Sequence, residues 1–186
     1  VKEGIRYFAE DQGIVTVLFC NIQGFQNIVE TYPARQLTKF MDKTFRAFDE
    51  LCTKTGMTKV ETVGYTYMAC SGIQEIEKEL DPRFTRVPHA LRAVELAIGI
   101  KNQCERIVML NGEKLKVKIG IHTGPLVAGV VGSHKPQFSL VGDTVNTASR
   151  MCTTCSKTVQ ISRATYDMLG SAKVGFTRSK VQVKGK

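Results

Sequence analysis

Seven residues near the N-terminus, Ile14-Val-Thr-Val-Leu-Phe-Cys20, are almost all apolar or β-branched. A run of that kind with no polar alternation needs cover on both faces, which makes it a central buried strand. The next segments limit the fold further. Asn21-Ile-Gln-Gly24 is a turn, and Pro33 suits the first turn of a helix. Leu37, Phe40, Met41, Thr44, Phe45, Phe48, Leu51 and Cys52 recur at helical spacing as one apolar stripe, and Gly56 marks its end.

Met57 to Val63 and Tyr65 to Ser71 read as two strands joined at Gly64, a hairpin. Residues 73–88 are charged and contain two prolines, which predicts a loop with at most a helical turn. Ala90, Ala93, Val94, Ala97, Ile98 and Cys104 mark a second amphipathic helix. Lys114 to Ile121 alternates strictly, as a strand with one wet and one buried face does. Gly124 to Gly132 is rich in small residues and reads as turns. Gly142 to Met151 reads as a short helix. Val159–Ile161 and Val181–Val183 read as short strands around a last helix near Ala164 to Leu169. The order is βαββαβ with additions and no internal linker, an α+β sandwich whose antiparallel sheet carries its helices on one face.

Composition excludes several classes. With 186 residues the chain can bury one sizeable core as a single domain over 1–186, its core spanning about 14–186. No run approaches the roughly 18 apolar residues of a membrane span. The start Val1-Lys2-Glu3-Gly4 and the end Val183-Lys184-Gly185-Lys186 predict a domain excised from a longer protein. The net charge of +9 is spread along the chain without aromatic interleaving. That pattern argues against a nucleic-acid partner and fits a solvated basic surface or a polyphosphate ligand. The six cysteines sit mostly in apolar segments, as reduced buried thiols do. Cys152-Thr-Thr-Cys155 has zinc-knuckle spacing but no second pair, so no metal site is read there.

Three segments carry a family resemblance: Val17-Leu-Phe-Cys-Asn-Ile-Gln-Gly-Phe25, Lys59-Val-Glu-Thr-Val-Gly-Tyr-Thr-Tyr-Met68, and Lys118-Ile-Gly-Ile-His-Thr-Gly-Pro125 through Val141-Gly-Asp-Thr-Val-Asn-Thr-Ala-Ser-Arg-Met151. In order and content they resemble class III adenylyl and guanylyl cyclase catalytic domains, and the ending Val183-Lys-Gly-Lys186 resembles that family's C-terminal motif. The resemblance implies a ferredoxin-like βαββαβ core with extra strands and helices. It also implies a head-to-tail dimer whose sites form between two halves. One half supplies two aspartates for two divalent metals. The other supplies base-reading residues, an Asn, an Arg and a Lys.

By that resemblance this chain is the second kind of half. The two aspartate positions hold Asn21 and Tyr65. A divalent ion needs anionic oxygen ligands, for which an amide is a weak substitute and a phenol none. Mg²⁺ or Mn²⁺ is then held by a partner domain, and the chain alone is inactive. The resemblance assigns Asn146 to the ribose, Arg150 to the α-phosphate and Lys184 to the β/γ-phosphates. Asn146 and Arg150 are four apart and share a helix face. A planar, permanently charged donor suits developing phosphoryl charge.

Glu61 and Ser139 fall at the base-reading positions, where adenylyl types carry Lys and Asp and guanylyl types carry Glu and usually Cys. A carboxylate accepts from guanine N1–H and N2–H₂ together, whereas adenine N1 would repel it. The Ser139 hydroxyl can donate to guanine O6, and it can also accept from an adenine amine. Lys59 lies two residues before Glu61, on the same strand face by period two, where it either supports Glu61 or faces solvent. Asp143 reads as a helix cap, and His122 and His134 receive no catalytic role.

The expected function is therefore half of a guanylate cyclase that converts GTP to 3′,5′-cyclic GMP and pyrophosphate. Its partner is a complementary cyclase domain with both aspartates, in another subunit or in the same membrane-anchored polypeptide. The domain itself is expected to be cytoplasmic, and alone to be a monomer or weak homodimer. The alternatives are an adenylate cyclase half, or a catalytically dead dimerisation or nucleotide-sensing module.

Overall fold

The computed structural model describes residues 9–132, 136–172 and 175–181. The Ile14–Cys20 run lies inside strand β1 (Ala9–Ile22), between β3 (Thr66–Ser71) and β4 (Val117–Val131), with Ile14 at its start left exposed. β2 (Thr58–Val63) pairs with β3, giving the order β2-β3-β1-β4, all antiparallel. With β1 first in the chain and β4 last, this is the ferredoxin-like arrangement that the βαββαβ order predicts. Beyond it, β4 shares its free edge between two partners. Its first half pairs in parallel with β6 (Val159–Ile161), and its second half pairs antiparallel with β5 (Gln137–Val141).

Two long helices cover one face. Helix α2 (Ala34–Lys54) follows the short α1 (Phe25–Val29) and buries Leu37, Phe40, Thr44, Phe48 and Cys52, a stripe at spacings of three and four. It ends where Gly56 takes φ +66° and the Met57 amide donates back to the Cys52 carbonyl at 3.0 Å. Helix α5 (His89–Cys104) brings Ala90, Ala93 and Ala97 to zero exposure against the sheet, their small side chains allowing close approach. Both helices pack on Leu18, Cys20, Tyr67, Ala69, Ile119 and Ile121.

The remaining helices differ from expectation. Residues 73–88 form two short helices, α3 (Gln74–Glu79) and α4 (Pro82–Thr85), the second capped by the Asp81 side chain. The first is tied to α5 by an ion pair: the buried Arg92 on α5 donates to both Glu77 oxygens at 2.6 and 2.7 Å and to the Gly56 carbonyl at 2.7 Å. Glu77 also accepts the Gly72 amide at 2.8 Å. Losing Glu77 would leave the buried Arg92 charge without its carboxylate.

Helix α6 (Asp143–Thr153) sits on the opposite face of the sheet from α2 and α5, so the helices are not all on one side as expected. It is admitted by Gly120, where a Cβ would fall onto the Cys152 backbone, and by Gly124, where one would lie 2.6 Å from Thr144 Oγ1. The Gly124–Gly132 stretch, expected as turns, is therefore mostly strand. Its small residues serve α6, and Pro125 sits opposite Ile14 beside a bulge in β1. Helix α7 (Arg163–Asp167) is capped by Ser162, whose hydroxyl accepts the Thr165 amide. Of the expected strand at 181–183, residues 182 and 183 lie outside the described residues, and Val181 is in no element.

Candidate functional site

The face not taken by α2 and α5 is only partly covered by α6. Beside α6, Phe19, Asn21, Glu61, Val63, Thr66, Met68 and Ser149 line a cleft of about 240 Å³. The register explains why these side chains meet. Asn21 is opposite Thr66, and Phe19 is opposite Met68, so all four project to one face. Glu61 joins them because β2 is bulged. Lys59 pairs with Ala69, but Glu61 pairs with Met68, leaving Val60 as the extra residue.

That bulge separates Lys59 from Glu61, against the period-two expectation. Lys59 turns to the helical face, where its Nζ lies 2.9 Å from Asp49 Oδ2 and 5.5 Å from the Tyr67 ring centre. Glu61 turns to the cleft. There its Oε2 accepts a hydrogen bond from Gln137 Nε2 at 2.9 Å. Gln137 belongs to β5, four strands away in sheet order. For the two to touch, the β4–β5 ribbon has to leave the plane of the sheet and fold over this face. Phe138 and Leu140 of β5 accordingly pack on the cluster that holds Met68.

Ser139 is two residues from Gln137 and shares its side of β5. It is half-buried, with its Oγ 3.5 Å from the Gln137 carbonyl, at the limit of a hydrogen bond. Glu61, Gln137 and Ser139 thus bring one carboxylate, one amide and one hydroxyl to the same region. Sequence reasoning missed Gln137. Its spacing from Ser139 placed it on the right face, but nothing in the sequence shows β5 reaching β2.

On α6 the buried residues Thr144, Thr147, Ala148, Met151 and Cys152 face the sheet. Asn146 is left exposed and Arg150 half-exposed, four apart as expected. Among the described residues neither side chain has a hydrogen-bond or ion-pair partner, so both are free to meet a ligand. Asp143 is the first residue of α6 rather than its cap. The N-cap is Gly142, which has no side chain to cap with, and Asp143 favours the helix through its charge in the first turn.

The two positions that resemble metal-aspartate sites lie side by side. The Ile22 amide donates to the Tyr65 carbonyl at 3.0 Å. Asn21 Oδ1 accepts from Thr66 Oγ1 at 2.9 Å, and the Tyr65 ring packs 6.1 Å from that of Phe25. An amide oxygen already occupied and a phenol packed on an aromatic do not fit a divalent cation. Among the described residues no group of three or more His, Cys, Asp or Glu side chains could hold one. Cys152 and Cys155 are both buried. The Cys152 thiol donates to the Lys118 carbonyl at 3.0 Å, and burial pushes its pKa up to about 11, as it raises that of Cys155. His122 Nδ1 lies 2.7 Å from Ser162 Oγ. Lys184 and His134 fall outside the described residues.

Comparison with known proteins places the chain in a family. The family profile described as the adenylate and guanylate cyclase catalytic domain matches residues 8–186. The chain is 35% identical over 173 residues to a membrane guanylyl cyclase of Dictyostelium discoideum, covering 92% of this chain and 11% of that protein. It is 34% identical over 204 residues to guanylate cyclase beta of Plasmodium falciparum, covering 100% of this chain and 6% of that protein. The chain therefore spans about a tenth or less of these relatives' length. Among solved structures, the guanylate cyclase domain of RhGC from Catenaria anguillulae in complex with GTP superposes with a TM-score of 0.77 at 34% identity, over 87% of this chain and 85% of that one. The catalytic core of a rhodopsin-guanylyl cyclase with converted specificity, in complex with ATPalphaS, superposes with a TM-score of 0.83 at 34% identity, over 96% and 92%. The chain belongs to the adenylate and guanylate cyclase catalytic domain family.

Proposed function

We propose that this domain is the guanine-reading half of a guanylate cyclase site, converting GTP to 3′,5′-cyclic GMP and pyrophosphate when a complementary cyclase domain supplies the metal-binding aspartates. The observation that carries this reading is the pairing, in one cleft, of an intact carboxylate at Glu61 with an amide at Asn21. A domain drifting toward a purely structural role has no need to keep the first. A complete site could not work with the second.

In this reading Glu61 accepts from guanine N1–H and N2–H₂, with Gln137 holding the carboxylate in place and Ser139 donating to O6. An adenine would leave the carboxylate facing an unprotonated nitrogen, which is how a polar site rejects a near-isostere. Asn146 orients the ribose. The ribose 3′-oxygen attacks the α-phosphorus and loses its proton, and the bond from that phosphorus to the pyrophosphate oxygen breaks. Arg150 offers its fork of N–H groups to the charge that builds on the α-phosphate oxygens. Lys184 is the proposed partner of the β- and γ-phosphates. Bound Mg²⁺ or Mn²⁺, held by the partner domain, would supply charge neutralisation of the triphosphate. The partner belongs either to the same polypeptide or to a second subunit. That a similar guanylate cyclase domain was crystallised with GTP supports the choice of nucleotide.

The test is a cyclase assay with Mn²⁺ and either GTP or ATP. The isolated chain should be silent. Mixed with a cyclase domain that carries both aspartates, it should turn over GTP in preference to ATP. Strong turnover by the isolated chain would refute the half-site reading. In the mixed pair Arg150→Ala should lower kcat by about 10²–10³, the scale of losing one transition-state donor. Unchanged activity would instead favour a module that only dimerises or senses nucleotide.

A further inference from the structure

A second cleft, of about 410 Å³, shares no lining residue with the first. It opens where the last turn of α5, the start of β4 and the residues just before β6 meet, with Gln23 beyond the end of β1 on its wall. Lys101, Lys116, Lys118 and Lys157 are among the residues that line it, with a single carboxylate, Glu105. Among the described residues none of the four lysines is in an ion pair. They come from three separate segments: Lys116 and Lys118 share one side of the chain by strand alternation, and no single periodicity brings Lys101 and Lys157 to them. Lys101 complements the carbonyl end of α5, and Lys116 and Lys118 follow the strand alternation, but neither pattern explains why Lys157 joins them. Four like charges gathered around one counter-charge still repel one another and cost stability.

We propose that this cleft binds a compact polyphosphate anion. Its volume falls in the range of about 300–1,000 Å³ typical of small-molecule sites. Its apolar wall comes from Cys104, Leu115 and Val117, each nearly fully buried. An apolar wall lowers the local dielectric and strengthens the attraction between an anion and the surrounding ammonium groups. Gln23, whose Nε2 donates to the Asn21 carbonyl at 3.4 Å, and Thr158 add neutral polar residues to the lining. A concave cleft suits a small, multiply charged ion, whereas a planar anionic membrane would need its lysines on a flat or convex surface. The cleft is also tied to the first site. The Gln23 amide donates to the Lys116 carbonyl at 2.8 Å, and Lys118 stands opposite Asn21 in the β1–β4 register. An anion here would brace the strand end that carries Asn21.

Calorimetric titration of the whole chain with inorganic tripolyphosphate at low salt tests the proposal. One saturable site is expected, weakened about tenfold or more when NaCl is raised from about 50 to about 500 mM, as screening requires. Lys101→Glu combined with Lys157→Glu should weaken binding by about tenfold or more, since two attractive charges become repulsive. Lys39→Glu with Lys43→Glu makes the same change in net charge on exposed positions of α2 and should leave binding within about twofold, because those charges are remote and screened. Arg150→Ala should also leave it unchanged. If the first double variant does not fold, Lys101→Gln is measured in its place. The proposal is overturned by absence of saturable binding or by equal loss in both double variants. It is equally overturned by loss in Arg150→Ala, which would put the anion at the nucleotide site, or by binding to anionic vesicles without binding to the free ion.

Discussion

Gln137 and Glu61 are 76 residues apart in sequence and belong to strands at opposite ends of the sheet order, yet their side chains meet at 2.9 Å. This hydrogen bond closes the β4–β5 ribbon over the sheet face and sets which way the Glu61 carboxylate points. One Glu61 oxygen is engaged and the other is left for a ligand.

Removing the Gln137 amide should loosen that carboxylate without unfolding the domain, because both groups lie at the surface end of the cleft. In a reconstituted pair, Gln137→Ala should lower kcat/KM for GTP by about five- to tenfold, the worth of roughly 1 kcal/mol for one hydrogen bond to a charged group in a partly wet setting. Thermal stability should shift by no more than a degree or two. Kinetics indistinguishable from the parent would show that Gln137 does not position Glu61.

Some of the candidate site's geometry was legible in the sequence, for specific reasons. The substitutions at Asn21 and Tyr65 are one-residue changes within recognisable segments. The four-residue spacing of Asn146 and Arg150 survives because helices keep their period. What could not be read depends on pairing between distant strands. The Val60 bulge that parts Lys59 from Glu61 is a property of the β2–β3 register. The reach of β5 to β2 depends on how far the ribbon bends. Gly124 and Pro125 misled in a different way. They carry turn chemistry in isolation, yet here Gly124 makes room for α6 and Pro125 sits beside a bulge.

Gly120→Ala tests how closely α6 must approach. A methyl at this position would overlap the Cys152 backbone, a contact that no rotamer change can relieve. Overpacking of this kind costs about 3 kcal/mol or more when backbone has to move. The urea midpoint should fall accordingly, and displacement of α6 should lower cyclase activity of the mixed pair even in the fraction that remains folded. A variant as stable as the parent would mean that α6 can stand off the sheet.

Asn21→Asp with Tyr65→Asp should convert the half-site into a metal-binding one. The carboxylate introduced in place of Asn21 could still accept from Thr66 Oγ1, as the Asn21 amide oxygen does at 2.9 Å. Replacing Tyr65 removes its contact with Phe25, at a cost of about 1 kcal/mol for an aromatic pair. Mn²⁺ titration should show binding to the double variant and none to the parent. A homodimer of the double variant would hold both halves of the chemistry, so GTP turnover should appear without a partner. Failure to bind Mn²⁺ would show that these positions do not form the metal corner.

His89 should make stability fall on acidification. Its Nδ1 lies 2.7 Å from Thr16 Oγ1, which is itself 2.8 Å from Thr123 Oγ1, at the buried foot of α5. Burial lowers its pKa, the nearby Arg92 guanidinium lowers it further, and Glu77 opposes them. The folded protein therefore favours neutral imidazole, whereas the unfolded chain takes up a proton near pH 6.5. A depressed folded pKa means that the unfolded state binds more protons between the two values. The stabilisation from neutral His89 is thus complete above about pH 6.5 and is lost as pH falls toward the folded value. His89→Asn keeps an atom able to pair with Thr16 but cannot titrate. Urea midpoints measured from about pH 7.5 to 5.5, spanning the ordinary imidazole range, should decline more steeply in the parent than in this variant. Parallel slopes would move the acid sensitivity to other groups.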